Sequence, residues 1–131
     1  MNYKKISYYI KMPKTNYKNT VIYKICCKNL NILYVYVGET TDYIGRKASH
    51  KFNCNNKDSI HHHLKLYQTI RENGGWKNWK IIKLENYPCS NYLEATQRER
   101  YWCEKLNSNL NMVVPFLSKR EKNEKKSRLI G

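Results

Sequence analysis

At 131 residues the chain has room for one compact domain of about 95 residues with short extensions, and it is too short for two ordinary domains. Lys and Arg number 25 against 10 Asp and Glu, a formal charge of +15; this points to a polyanionic partner, with plain solubility or attraction to anionic lipid as the alternatives. There is no run of ~20 apolar residues to cross a membrane and no apolar signal-peptide core at the N-terminus, so an intracellular protein is expected. The five cysteines lack a Cys-x-x-Cys pair, which suits reduced thiols better than a disulfide scaffold or a zinc knuckle.

Residues 1–18 alternate lysine with Tyr3, Tyr8, Tyr9 and Tyr17, with no acid among them, and are read as a basic arm. Two runs rich in β-branched and aromatic residues follow, Val21–Ile25 and Ile32–Val37, joined by the polar turn Lys28-Asn29-Leu30-Asn31, and together they predict a hairpin that Gly38 ends. Thr40, Thr41 or Asp42 then caps a helix from Tyr43 to about Phe52, which places Arg46 and His50 four residues apart on one face. Gly45 inside this helix costs up to ~1 kcal/mol relative to Ala, tolerable if a backbone or a phosphate must approach there. Residues 53–58 read as a polar loop. A second helix is expected from Ile60 to about Glu72, capped by Asp58 or Ser59 and stopped by Asn73-Gly74-Gly75. His61, His62 and His63 would start it, fanned ~100° apart and so unable to ligate one ion together.

Trp76–Glu85 reads as a strand with Trp79, Ile81 and Ile82 as core candidates. The last helix, Asn91 to about Asn107, lines up Ala95, Glu99, Trp102, Cys103 and Leu106 on one face, which sets Glu99 within an apolar stripe. Glu94 and Glu104, five residues to either side, are turned roughly 140° away and are expected in solvent. The body closes near Pro115. Residues 116–131 form a basic polar tail expected to be disordered.

Val21-Ile22-Tyr23, Tyr36-Val37-Gly38, Arg46, His50, Glu99 and Asn111 resemble, in order and spacing, the motifs of the GIY-YIG nuclease family. The resemblance covers roughly Thr20 to Pro115, with Val21 standing where the family's first motif has glycine. Tyr43-Ile44-Gly45 also spells the second motif, but in that register Arg46 would directly follow its glycine, so it is rejected. The resemblance implies an α+β fold, a small and mostly antiparallel three-stranded sheet flanked by helices in the order β-β-α-α-β-α, over a nuclease domain of residues 19–115.

It also implies a divalent-metal-dependent endonuclease acting on DNA, with RNA left open and a catalytically silent nucleic-acid-binding module as the alternative. Tyr23 falls in the position of a general base or water positioner, with Tyr36 beside it as a second proton-handling or orienting phenol. Arg46 would offer a planar fork to phosphate oxygens, and His50 would accept the tyrosine proton. Glu99 would hold one Mg²⁺ or Mn²⁺, a single acid arguing for one ion. Gly38, His61 and Asn111 are placed against the substrate. Stand-alone members of the family occur in phages and large viruses, with repair, restriction and mobile-intron roles all represented.

Overall fold

The computed structural model of the protein describes residues 14–111; all but the last five residues of the predicted N-terminal arm, and the whole predicted tail, lie outside them. Three strands form one antiparallel sheet: β1 (Val21–Cys27) lies between β2 (Val35–Thr40) and β3 (Trp79–Asn86). The helices are α1 (Tyr43–Asn55), α2 (Lys65–Glu72) and α3 (Tyr92–Leu106), which gives the expected α+β order.

Successive residues of a strand face opposite ways, and β1 uses this to serve two cores. Tyr23, Ile25 and Cys27 pack with Cys54 of α1, Leu66, Tyr67 and Ile70 of α2, and Leu110. On the other side Ile22 and Val37 meet Cys103 of α3, with Trp102 and Leu106 at the margin. The neighbours Cys26 and Cys27 divide accordingly: Cys27 is buried, Cys26 only partly, and all five cysteines are free thiols. Arg98 forks onto Glu85 of β3, with 2.8 Å from Nη2 to Oε2, and ties α3 across the sheet.

Several boundaries differ from those read along the sequence. Gly38 does not end β2; the strand runs on to Thr40, because β1 pairs from Val21↔Thr40 to Cys26↔Val35. At its other end β2 begins only at Val35, and Leu33 and Tyr34 before it stay exposed. Helix α1 continues through Asn55, so Asn53 and Cys54, read as loop, are helical, and Cys54 is fully buried. Arg71 closes that helix end by donating from Nη1 to the Cys54 carbonyl at 3.0 Å.

Helix α2 begins five residues later than predicted, with no side-chain cap. Residues 59–64 form successive turns instead, since the Ser59 hydroxyl accepts from the His61 amide and donates to Asn53, and Arg71 Nη2 holds the His62 carbonyl at 2.9 Å. The three histidines are therefore not helical. Residues Trp76–Asn78 make one 3-10 turn before β3 rather than its start. Helix α3 matches closely, flanked by the cap Asn91 and by Asn107 in the left-handed conformation. Glu94 is half-buried rather than free, accepting from the Ser90 amide at 2.8 Å in a reciprocal cap, and Glu104 is exposed as expected.

Candidate active site

Tyr23 is the centre of the site. Its side chain has no exposure at all and sits among the rings of Tyr36, Tyr43 and His50, with centroids 6.4, 6.1 and 5.7 Å away. The fold makes room for it at Gly38, directly opposite Tyr23 across the strand pair. A Cβ at Gly38 would overlap the Tyr23 hydroxyl and ring. Gly38 thus serves the site by leaving room for the Tyr23 phenol over the β2 backbone. Gly45 has an equally local reason: a Cβ there would overlap the Asp42 carboxylate, which caps α1 by accepting from the Gly45 amide at 3.0 Å. No approaching phosphate is required to explain it.

That cap aims α1 so that His50 is buried against the sheet while Arg46, one turn earlier, is exposed. The Tyr23 hydroxyl and His50 Nε2 are 2.7 Å apart, and His50 Nδ1 lies 2.8 Å from the Tyr67 hydroxyl. Burial, and then the Arg46 charge, lower the His50 pKa to about 4, so the ring is neutral at pH 7. Burial is also the main reason both tyrosines are raised above their usual range; Tyr36 adds to the effect on Tyr23, and Glu99 to that on Tyr36. Arg46 opposes the shift at both.

Glu99 reaches this group from α3. Burial first, and the Glu39 carboxyl second, push it up to about 8 against the pull of Arg46. Glu39 is raised as well, by burial, and it too feels Arg46. The expectation of a single acid is therefore corrected: two carboxyls share one arginine. Glu39 carried a readable signal, since it directly follows the second motif and, two residues from Val37, alternation puts it on the α3 side of the sheet.

Asn111, expected at the substrate, instead spends both ends of its amide on one residue of the edge strand: Oδ1 accepts from the Val37 amide at 3.0 Å and Nδ2 donates to the Val37 carbonyl at 2.6 Å. Asn109 does the same for Val35, accepting from its amide at 2.9 Å while the Asn109 and Leu110 amides donate to its carbonyl. Together they cover the open edge of β2 beside the site. His61 is exposed and lines a groove of about 710 Å³ together with Tyr36, Arg46, His50, Phe52 and Tyr67. His62 turns inward to the Asn53 carbonyl, and His63 is exposed.

Residues 19–111 match the model of the GIY-YIG catalytic domain. The chain belongs to the GIY-YIG family. Membership makes it a nuclease-family domain and agrees with the three-stranded antiparallel sheet and its flanking helices. No curated protein and no solved structure matches the chain. No helix among the described residues is long and apolar enough to cross a membrane. Tyr23, Tyr36, Arg46 and Glu99, far apart in sequence, come within electrostatic reach of one another, and His50 is bonded directly to the first of them. Chemically this is a buried phenol bonded to an imidazole that is neutral at pH 7, with an exposed guanidinium and two carboxyls electrostatically coupled around it.

Proposed function

We propose that this GIY-YIG domain is a divalent-metal-dependent endonuclease that hydrolyses DNA phosphodiester bonds. The observation that carries the reading is the convergence of Tyr23, Tyr36, Arg46 and Glu99 about one site, where four unrelated packing residues would be scattered.

The carboxyls fit a hard divalent ion. Burial raises the proton affinity of both Glu39 and Glu99, and Glu39 adds to it at Glu99 against the pull of Arg46, so a cation would relieve this repulsion through the oxygen donors it prefers. Among the described residues no three His, Cys, Asp or Glu side chains gather into a cage, so water and substrate phosphate would complete the coordination. Glu99 would hold the ion, with Glu39 beside it; a bound Mg²⁺ or Mn²⁺ supplies charge neutralisation at the scissile phosphate. Arg46 is exposed and lines the groove, where its planar fork could follow phosphate oxygens into the transition state. Tyr36, which lines the groove, would orient the attacking water, and Tyr23, buried behind it with its hydroxyl on His50, would receive the proton.

The test is Glu99→Gln, which keeps size and hydrogen bonding but loses the charge that retains the ion. Cleavage of labelled duplex with Mg²⁺ or Mn²⁺ is expected to vanish, with DNA affinity nearly unchanged and thermal stability kept or improved, because a carboxyl held protonated by burial gains little from its charge. A stable mutant that still cuts would overturn the assignment, and an unstable one would make Glu99 a structural partner of Arg46. Parallel single-stranded DNA and RNA substrates decide the substrate class.

A further inference from the structure

His50 has a hydrogen-bond partner on each ring nitrogen, Tyr23 on Nε2 and Tyr67 on Nδ1. Resting on the nuclease reading, we propose that Tyr67 is the outer station of a proton relay from Tyr23 through His50 into the groove, held in line by Asn53 and Ser59.

The geometry is continuous. From Tyr23 Oη to His50 Nε2 is 2.7 Å, and from His50 Nδ1 to Tyr67 Oη is 2.8 Å. Asn53 Nδ2 donates to the Tyr67 oxygen at 3.2 Å, and the Asn53 carbonyl oxygen accepts from the Ser59 hydroxyl at 2.6 Å. Ser59 in turn accepts the His61 amide at 3.1 Å. This outer chain sets the sense of each bond: Asn53 presents its N–H to Tyr67, one lone pair of the Tyr67 oxygen is taken, and its own proton is left free to turn either to His50 or into the groove that Tyr67 lines.

A relay is needed because His50 is a poor place to store a proton. The ring is buried, and Arg46 disfavours a second positive charge beside it. Passing a proton through avoids the imidazolium. The Tyr23 O–H bond breaks as Nε2–H forms, Nδ1–H breaks as a new bond forms to the Tyr67 oxygen, and the original Tyr67 proton passes to solvent in the groove. One proton leaves Tyr23 and one enters solvent; His50 stays neutral with its proton moved from Nδ1 to Nε2, and Tyr67 ends as a phenol donating to Nδ1. The phenolate left at Tyr23 then accepts from Nε2–H, so the product state is stabilised by the same bond that carried the proton out.

The experiment is Tyr67→Phe, which removes one hydroxyl from a packed ring. Single-turnover cleavage of a labelled duplex is expected to fall at least ten-fold while duplex affinity stays within about two-fold. Added imidazole buffer at fixed pH and ionic strength should restore part of the rate, as an external carrier replaces the missing station. Two-bond ¹H–¹⁵N spectra of the metal-free protein should show the Nδ1 resonance of His50 moving in the variant. Tyr67→Phe cutting as fast as wild type overturns the relay alone. So does a slower variant with no buffer response and an unmoved His50 ring, since packing loss then explains it. Wild-type protein that cuts nothing with either ion overturns the nuclease reading first, and the relay as a catalytic device with it.

Discussion

The protonation of His50 is coupled to folding. In the unfolded chain it titrates near 6.5, whereas in the fold it is held to about 4 by burial and by Arg46. Between those values the unfolded state binds more protons than the native state, so stability rises with pH. The contribution is fully present above pH 6.5 and is lost as pH falls toward 4. At about 1.4 kcal/mol per unit the window is worth roughly 3 kcal/mol. The Glu99 carboxyl, raised to about 8, pulls the other way over the same range, so the His50 contribution is read as the difference in urea unfolding between wild type and His50→Gln, which preserves hydrogen bonding without titrating: wild type should gain on the variant as pH rises from 4 to 7. A difference that does not change with pH would mean the ring is not held neutral.

The strand pair β1–β2 shows how an element sets a site. Gly38 sits inside β2 with no unusual backbone angle, so its missing side chain matters for space and not for conformation. Gly38→Ala forces the Tyr23 ring to move within a packed pocket and away from His50. Overpacking of this kind costs about 1–3 kcal/mol, and cleavage should be lost with it. A double-mutant cycle checks the cause: in a Tyr23→Ala background the stability penalty of Gly38→Ala should largely disappear. A penalty unchanged in that background would place the clash elsewhere. Asn109 and Asn111 complete the element from outside, since they pair an edge strand that would otherwise expose its amides beside the carboxyls.

The charge of the whole molecule belongs largely to its ends. Residues 1–18 carry five bases and residues 116–131 six against two acids, while the body carries the remaining +6. We propose that these segments flank the domain as basic arms that neutralise DNA phosphates without reading sequence. Each phosphate contact contributes about −0.9 to the slope of log affinity against log salt. Removing residues 118–131 should flatten the slope for duplex binding, measured by fluorescence anisotropy between low and moderate salt. The same slope after truncation would show that this segment does not touch phosphate.

Periodicity and motif spacing carried the architecture, because hydrophobic alternation is local: β1, α3, the α+β order and the residues of the motif all stand in the linear chain. Gly38 and Asp42 were visible too, although Gly38 read as a stop because its reason, the Tyr23 phenol, comes from the neighbouring strand. The beginning of α2 was hidden, since Ser59 looks like a cap until Asn53 and the His61 amide are seen to claim its hydroxyl. The parts of the site absent from the linear reading are likewise products of long-range packing. In the linear chain nothing sets Tyr67 apart from its neighbours, and it becomes a partner of His50 only when α2 docks on α1. Asn111 turned from substrate to strand edge, and Glu39 joined Glu99, for the same reason: hydrogen bonds and charge coupling depend on distances between segments, and those distances are set when the sheet and its helices pack.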